Sequence, residues 1–138
     1  MVEFGLAFPV LCILLIGLLD LGKYSLHKSA LLQGAREGAH YGMLAYNETA
    51  NINSTAQNAT GLTGVTATNS VFCECVSGTT VACNTTCSGG NTLKRYITVT
   101  ATKSFSSVLG SASLNFGSLG HFTPPTSLSA SITMVVPP

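Results

Sequence analysis

Hydropathy divides the chain into two unequal parts. Val2 to Leu19, VEFGLAFPVLCILLIGLL, is apolar apart from Glu3 and carries Pro9 inside it, whereas the remainder is polar, Gly- and Thr-rich and cysteine-bearing. At about 1.5 Å rise per residue the apolar stretch predicts a helix roughly 27 Å long, close to the hydrocarbon thickness of a bilayer. Such a rod has two possible solvents, lipid or a bundle of identical rods. Proline removes one backbone hydrogen bond and crowds the preceding turn, so a kink or a short melted stretch is expected near Gly5 to Pro9. Asp20 and Lys23 mark the exit from the apolar layer, with Lys23 and Lys28 placed to snorkel toward headgroups.

From Leu21 to about Leu44 the pattern continues as a helix. Leu31, Ala35, Ala39 and Gly42 recur at steps of three and four, with Lys28, Arg36, Glu37 and His40 elsewhere around the cylinder. The expected element is one stalk of about 44 residues, roughly 65 Å long. Gly34, Gly38 and Gly42 form a smooth stripe on it. Each glycine weakens a helix, so the stripe calls for a compensating close approach by a sheet or a neighbouring helix.

Tyr46 to Gly64 shows no apolar period and reads as a polar loop. Asn47, Asn53, Asn58 and Asn84 head Asn-x-Ser/Thr triplets, a pattern that a Thr- and Asn-rich composition also generates by chance. Period-two alternation then predicts a strand from Val65 to Cys75, a turn at Ser77-Gly78-Thr79 and a short return strand over Thr80 to Cys83. A strand over Lys94 to Thr102 has Ile97, Val99 and Ala101 on one face, and a closing strand spans Leu128 to Val136. Ser104 to Pro125 reads as a long Gly/Ser-rich loop pinned by its aromatics. So few strands cannot bury an apolar face unaided, and the C-terminal half of the stalk is the available cover. The predicted class is α+β: a stalk helix over 1–46 packed by its C-terminal half on a small antiparallel sheet in a β-rich head over 47–138.

Composition narrows the function. Only 8% of residues are charged and the net charge is +1, so there is no basic field for nucleic acid and none is expected as a partner. A surface poor in charge suits a subunit packed against copies of itself. Cys12 lies in the apolar run as a small hydrophobe. The other four cysteines cluster as Cys73-x-Cys75 and Cys83-x3-Cys87. An even number beside an export-type segment favours two disulfides; the one-residue gap in the first pair departs from zinc-ligand spacing, so no metal is expected. Four cysteines permit three connectivities, and a simple hairpin favours the nested one, Cys73–Cys87 with Cys75–Cys83. His27, His40 and His121 are scattered, and no Ser/His/Asp set, carboxylate pair or phosphate-binding glycine loop can be assembled. Neither enzymatic activity nor a cofactor is expected. The opening Met1-Val2-Glu3 lacks the basic flank of a secretory signal, so the rod is expected to belong to the working protein.

The opening Met1 to Val10, continuing through Gly17-Leu18-Leu19-Asp20-Leu21-Gly22 to Ala35-Arg36-Glu37-Gly38-Ala39-His40-Tyr41-Gly42, resembles the TadE-like family of tight-adherence pilins. The cysteine pairs, the Arg95 to Thr100 strand and the closing strand are similar to that family as well. The resemblance implies a type IV pilin-like protein of a bacterial envelope, trimmed by a prepilin peptidase and drawn from the inner membrane by an assembly machinery into an extracellular helical filament of its own copies and other pilins. It also implies an assembly role for Glu3, Phe4 and Pro9, with the Glu3 carboxylate meeting the N-terminal amine of an adjacent subunit and Pro9 loosening the helix. Pilins in general carry four residues between the cleavage point and that glutamate, against two before Glu3, so the mature terminus is expected to differ from Met1. A minor pilin that primes or caps the filament, and a membrane-anchored monomer displaying a binding head, are the alternative roles.

Overall fold

The computed structural model describes residues 2–76, 78–108, 114–115, 118 and 121–138, without the side chains at 2–4, 6, 114, 115 and 122. Ser77, placed in the predicted turn, lies outside the described residues. A single helix, α1 (Val2–Leu44), is followed by a second, α2 (Thr49–Ala59), and then by β1 (Val65–Val76), β2 (Thr79–Val81), β3 (Lys94–Ser104), β4 (Leu114–Asn115), β5 (His121–Phe122) and β6 (Ser127–Val136). The main sheet is antiparallel throughout, in the order β2-β1-β3-β6, and β4 and β5 form a separate two-residue ladder. This is the predicted α+β arrangement.

Helix α1 runs unbroken through Pro9, so the melted stretch expected there is absent. The fixed φ of proline is itself helical, and the loss falls on one hydrogen bond in the second turn of a 43-residue element.

The inner face of the sheet follows from period-two alternation. Ile97, Val99 and Ala101 of β3 are fully buried, and Leu128, Ala130 and Val136 of β6 join them. Above them lie the C-terminal half of α1, through fully buried Leu31, Ala35 and Ala39, and helix α2, through fully buried Ile52 and Ala56. The core is two adjoining clusters, one around Ala39, Ile52, Ala56, Ile97 and Val99, the other around Leu31, Ala35, Ala101, Phe105 and Leu128, with half-buried Ile132 touching both.

Helix α2 corrects the expectation of a polar loop over 46–64. Its sequence, TANINSTAQNA, is rich in residues that favour turns over helix and has only Ile52 and Ala56 to bury. Tertiary contacts supply what propensity does not. Asn69 of β1 donates from Nδ2 to the Thr49 carbonyl (3.1 Å) and to Asn53 Oδ1 (3.0 Å), fastening α2 to the sheet. Gly61, at φ +63°, follows the helix in the left-handed conformation that favours glycine. At the other end Tyr41 Oη (2.6 Å) and Asn51 Nδ2 (2.7 Å) both donate to the Glu48 carboxylate.

Those two donors, Tyr41 first, hold the Glu48 carboxyl below the usual carboxylate range. A lowered folded-state pKa gives stabilisation that is present above the unfolded value and lost as pH falls through the folded one. Amide protection factors in α2, meaning exchange corrected for the intrinsic pH dependence of the unstructured chain, are therefore expected to fall between about pH 5 and pH 3 in the wild-type chain. The Glu48→Gln variant, which cannot titrate there, is expected to show a flatter profile; an unchanged profile would mean that Glu48 does not anchor α2.

The opposite face of the sheet is built of hydroxyl residues. In register across β1, β3 and β6 lie Ser70–Thr98–Thr133, Thr68–Thr100–Ser131 and Thr66–Thr102–Ser129. The Thr98 and Thr133 hydroxyls are 2.8 Å apart, and Thr100 donates to Ser131 Oγ at 3.0 Å. The next row toward the hairpin is Phe72–Tyr96–Val135, with the two rings stacked at 5.1 Å.

Candidate functional site

The first half of α1 has almost no cover of its own. Phe8, Val10, Leu11, Ile13, Leu14, Leu15, Leu18 and Leu19 are each at least half exposed, on every side of the helix. Full burial of a large apolar side chain is worth roughly 1.5–3 kcal/mol, so these eight leave on the order of 10–20 kcal/mol unrealised in the isolated chain. The helix is long and apolar enough to cross a membrane. Its exposed apolar surface is continuous, which marks it as an interaction site for lipid or protein.

A contact that periodicity does not reveal marks where the head first covers one side of the helix. The loop after β3 folds back along the stalk: Asp20 accepts a hydrogen bond from the Val108 amide at 2.8 Å and another from the Ser107 hydroxyl. Phe105 packs edge-on against Tyr24 and His27, with centroids 6.1 and 6.0 Å apart, and its amide donates to the Thr126 carbonyl at 2.9 Å. A cleft of about 510 Å³ opens beside this contact, lined by Gly17, Leu21, Tyr24, Phe105 and Pro124 among others. Asp20, expected only as a polar boundary residue, is thus also the clasp between stalk and head. The head reaches up the helix to Asp20, and the bare apolar rod begins immediately above it.

The glycine stripe lies at the other end of α1 and faces inward. A Cβ built on Gly34 would collide with the Ala56 carbonyl oxygen and the Thr60 methyl; one on Gly38 would sit 2.7 Å from Ala56 Cβ and 3.1 Å from Val99 Cγ1; one on Gly42 would meet the tip of Ile97. The sequence left open whether a sheet or another helix uses this stripe. Both do, and the helix is α2 of the same chain.

Of the residues to which the family resemblance assigns an assembly role, Pro9 is exposed on the apolar rod. The side chains of Glu3 and Phe4 lie outside the described residues, although the backbone there is helical. Pro9 is far along the helix from Gly34, so the assembly residues and the packing stripe do not form one site. Cys12, a free thiol, lies on the rod.

The cysteine cluster pairs differently from the nested expectation: the bonds are Cys73–Cys83 and Cys75–Cys87. Nested pairing needs Cys75 opposite Cys83. Instead the hairpin closes tightly, with Val76 opposite Thr79 and Cys73 opposite Val81, and the register shifts between Glu74 and Val76. Cys83 therefore emerges beside Cys73, and Cys75, at the irregularity, takes Cys87 from the following loop. Among the described residues no three His, Cys, Asp or Glu side chains converge as a metal site would require.

Residues 1–40 match the model of the family described as TadE-like protein. Over that segment the chain is similar to TadE-like proteins. The match covers the apolar rod, the Asp20 clasp and the first two stripe glycines, and this family is one of tight-adherence, pilus-associated proteins of a structural rather than enzymatic kind. No curated protein and no solved structure matches the chain. The matched segment is also the one with the exposed apolar surface.

Proposed function

We propose that the protein is a structural subunit of a bacterial tight-adherence pilus, held in the inner membrane by its N-terminal helix and then polymerised through that helix into a surface filament serving adhesion or motility. One observation carries this reading: a continuous helix whose lower half is core to the head while its upper half is apolar all round and bare. Lipid can cover that half before assembly and identical rods can cover it afterwards, so transfer between the two need not expose it to water. The partners are copies of the chain, other pilins, the assembly machinery and the peptidase that trims the N-terminus.

Glu3 is the residue on which the filament reading turns. A lone carboxylate among apolar rods costs several kcal/mol, and pairing with the terminal ammonium of an adjacent subunit offsets this. In a simple bilayer anchor, loss of the charge is neutral or favourable.

Glu3→Ala is therefore expected to remain in the membrane fraction with normal abundance while sheared surface filaments, counted by electron microscopy, fall at least about tenfold, the effect of losing roughly 1.4 kcal/mol or more per subunit contact. Wild-type filament yield from the alanine variant would instead favour the membrane-anchored binding module. Filaments that persist when the chain is deleted would assign it a minor, priming or capping, role.

A further inference from the structure

Among the described residues the side chains on the outer face of the sheet take no part in the core or in the contacts that fix α1 and α2, although the Ser129 carbonyl accepts a hydrogen bond from Lys28 of α1. The three by three array of serine and threonine hydroxyls on this face, centred on Thr100 with Thr68 and Ser131 on either side, is set by strand register alone. Neighbouring side chains in it are spaced by about 4.8 Å across the strands and about 6.8 Å along them. A solvated sheet face ordinarily intersperses lysine and glutamate, which keep it soluble and unpaired. On this face Glu74 and Lys94 stand opposite one another beyond the Phe72–Tyr96–Val135 row, leaving the array itself uncharged.

We propose that this face is a docking surface for an extended, uncharged polysaccharide. Three properties select that class. An anionic polymer needs a basic field, and the array offers none. An apolar partner would strip water from nine hydroxyls and give them no new bonds, whereas a sugar matches each with a group that both donates and accepts. Sugars also carry an apolar C–H face, and the adjacent row, where the Phe72 and Tyr96 rings stack on each other and Val135 is 49% exposed, adds apolar surface beside the array.

The surface is also prepared in advance. Threonine side chains have restricted χ1 freedom on a strand, and the Thr98–Thr133 and Thr100–Ser131 bonds orient hydroxyls before any ligand arrives. Little entropy is then lost on binding, and the strands beneath are fixed by the core on their other side.

The test uses the full chain in polyoxyethylene detergent micelles, since a sugar-headed detergent would compete. Depletion from solution is measured on microcrystalline cellulose and chitin, with phosphocellulose as the charged control. The wild-type chain is expected to be retained on at least one of the neutral polymers with little dependence on salt. The triple variant Thr98→Val, Thr100→Val, Thr133→Val keeps side-chain shape and strand propensity and is expected to bind at least about tenfold more weakly, having lost three hydrogen-bonding groups. Thr68→Lys, at an exposed strand position, provides a second weakened variant whose melting temperature is checked against wild type.

No wild-type retention on either neutral polymer, equal retention of the folded variants, or retention confined to phosphocellulose and abolished by salt would each overturn the proposal. So would self-association lost in both variants, which would give the face to a second copy. The assay needs no polymerisation, and Glu3→Ala is expected to bind as wild type does. Failure here and failure of the filament reading are thus separate results.

Discussion

Replacing Gly34 with alanine is expected to destabilise the head by about 2 kcal/mol, lowering its melting temperature by roughly 5–10 °C in detergent-solubilised full-length chain. Helix propensity alone says the opposite, since alanine is favoured over glycine by about 1 kcal/mol inside a helix. The added methyl, however, would collide with the backbone carbonyl of Ala56, which cannot move without shifting α2 as a whole. Overpacking of this kind costs about 1–3 kcal/mol or more and outweighs the gain.

The same substitution along the helix should rank by what it meets. At Gly38 it approaches the Ala56 methyl and Val99, and at Gly42 the flexible end of Ile97, so the penalty should fall in that order. At Gly22 nothing lies within 4 Å, and alanine should be neutral or stabilising by up to about 1 kcal/mol. If Gly34→Ala and Gly22→Ala behave alike, α2 is not seated on the stripe.

Removing the Cys73–Cys83 bond is expected to have the other large effect. A crosslink between residues 10 apart restricts the unfolded chain by roughly 2–3 kcal/mol. Cys73 is also fully buried, so Cys73→Ala with Cys83→Ala loses packing as well and should be less stable than the variant lacking Cys75–Cys87, where Cys75 is half-buried. Thermal melts of the two double variants measure the difference. Peptide mapping without reduction should return fragments joining Cys73 to Cys83 and Cys75 to Cys87; recovery of Cys73–Cys87 would refute the observed hairpin register.

What could be read in advance depended on how local its cause was. The stalk was legible because apolar residues on every side of the first eighteen positions, followed by steps of three and four, have one backbone solution. Strands β3 and β6 were legible because Ile97-x-Val99-x-Ala101 and Leu128 to Val136 alternate cleanly. Helix α2 was not, because its two buried side chains are too few to make a period and its Asn, Ser and Thr residues favour turns when nothing holds them. One trace of it existed: three glycines at four-residue spacing require a close neighbour, and Ala56 with Ile52 one turn away on a polar segment was a fitting partner. The Asp20 clasp left no such trace, since its partners lie 87 and 88 positions away on an irregular loop.

The sequence by itself therefore determined the rod, its apolar surface, the strand faces and the inventory of four head cysteines, all consequences of side-chain periodicity and composition. Tertiary structure alone decided which helix fills the glycine stripe, where the head ends on the stalk, which cysteines join and which hydroxyls stand in line. Each of these depends on register or on contact between segments distant in the chain, and a shift of one residue would change the partner of every side chain involved.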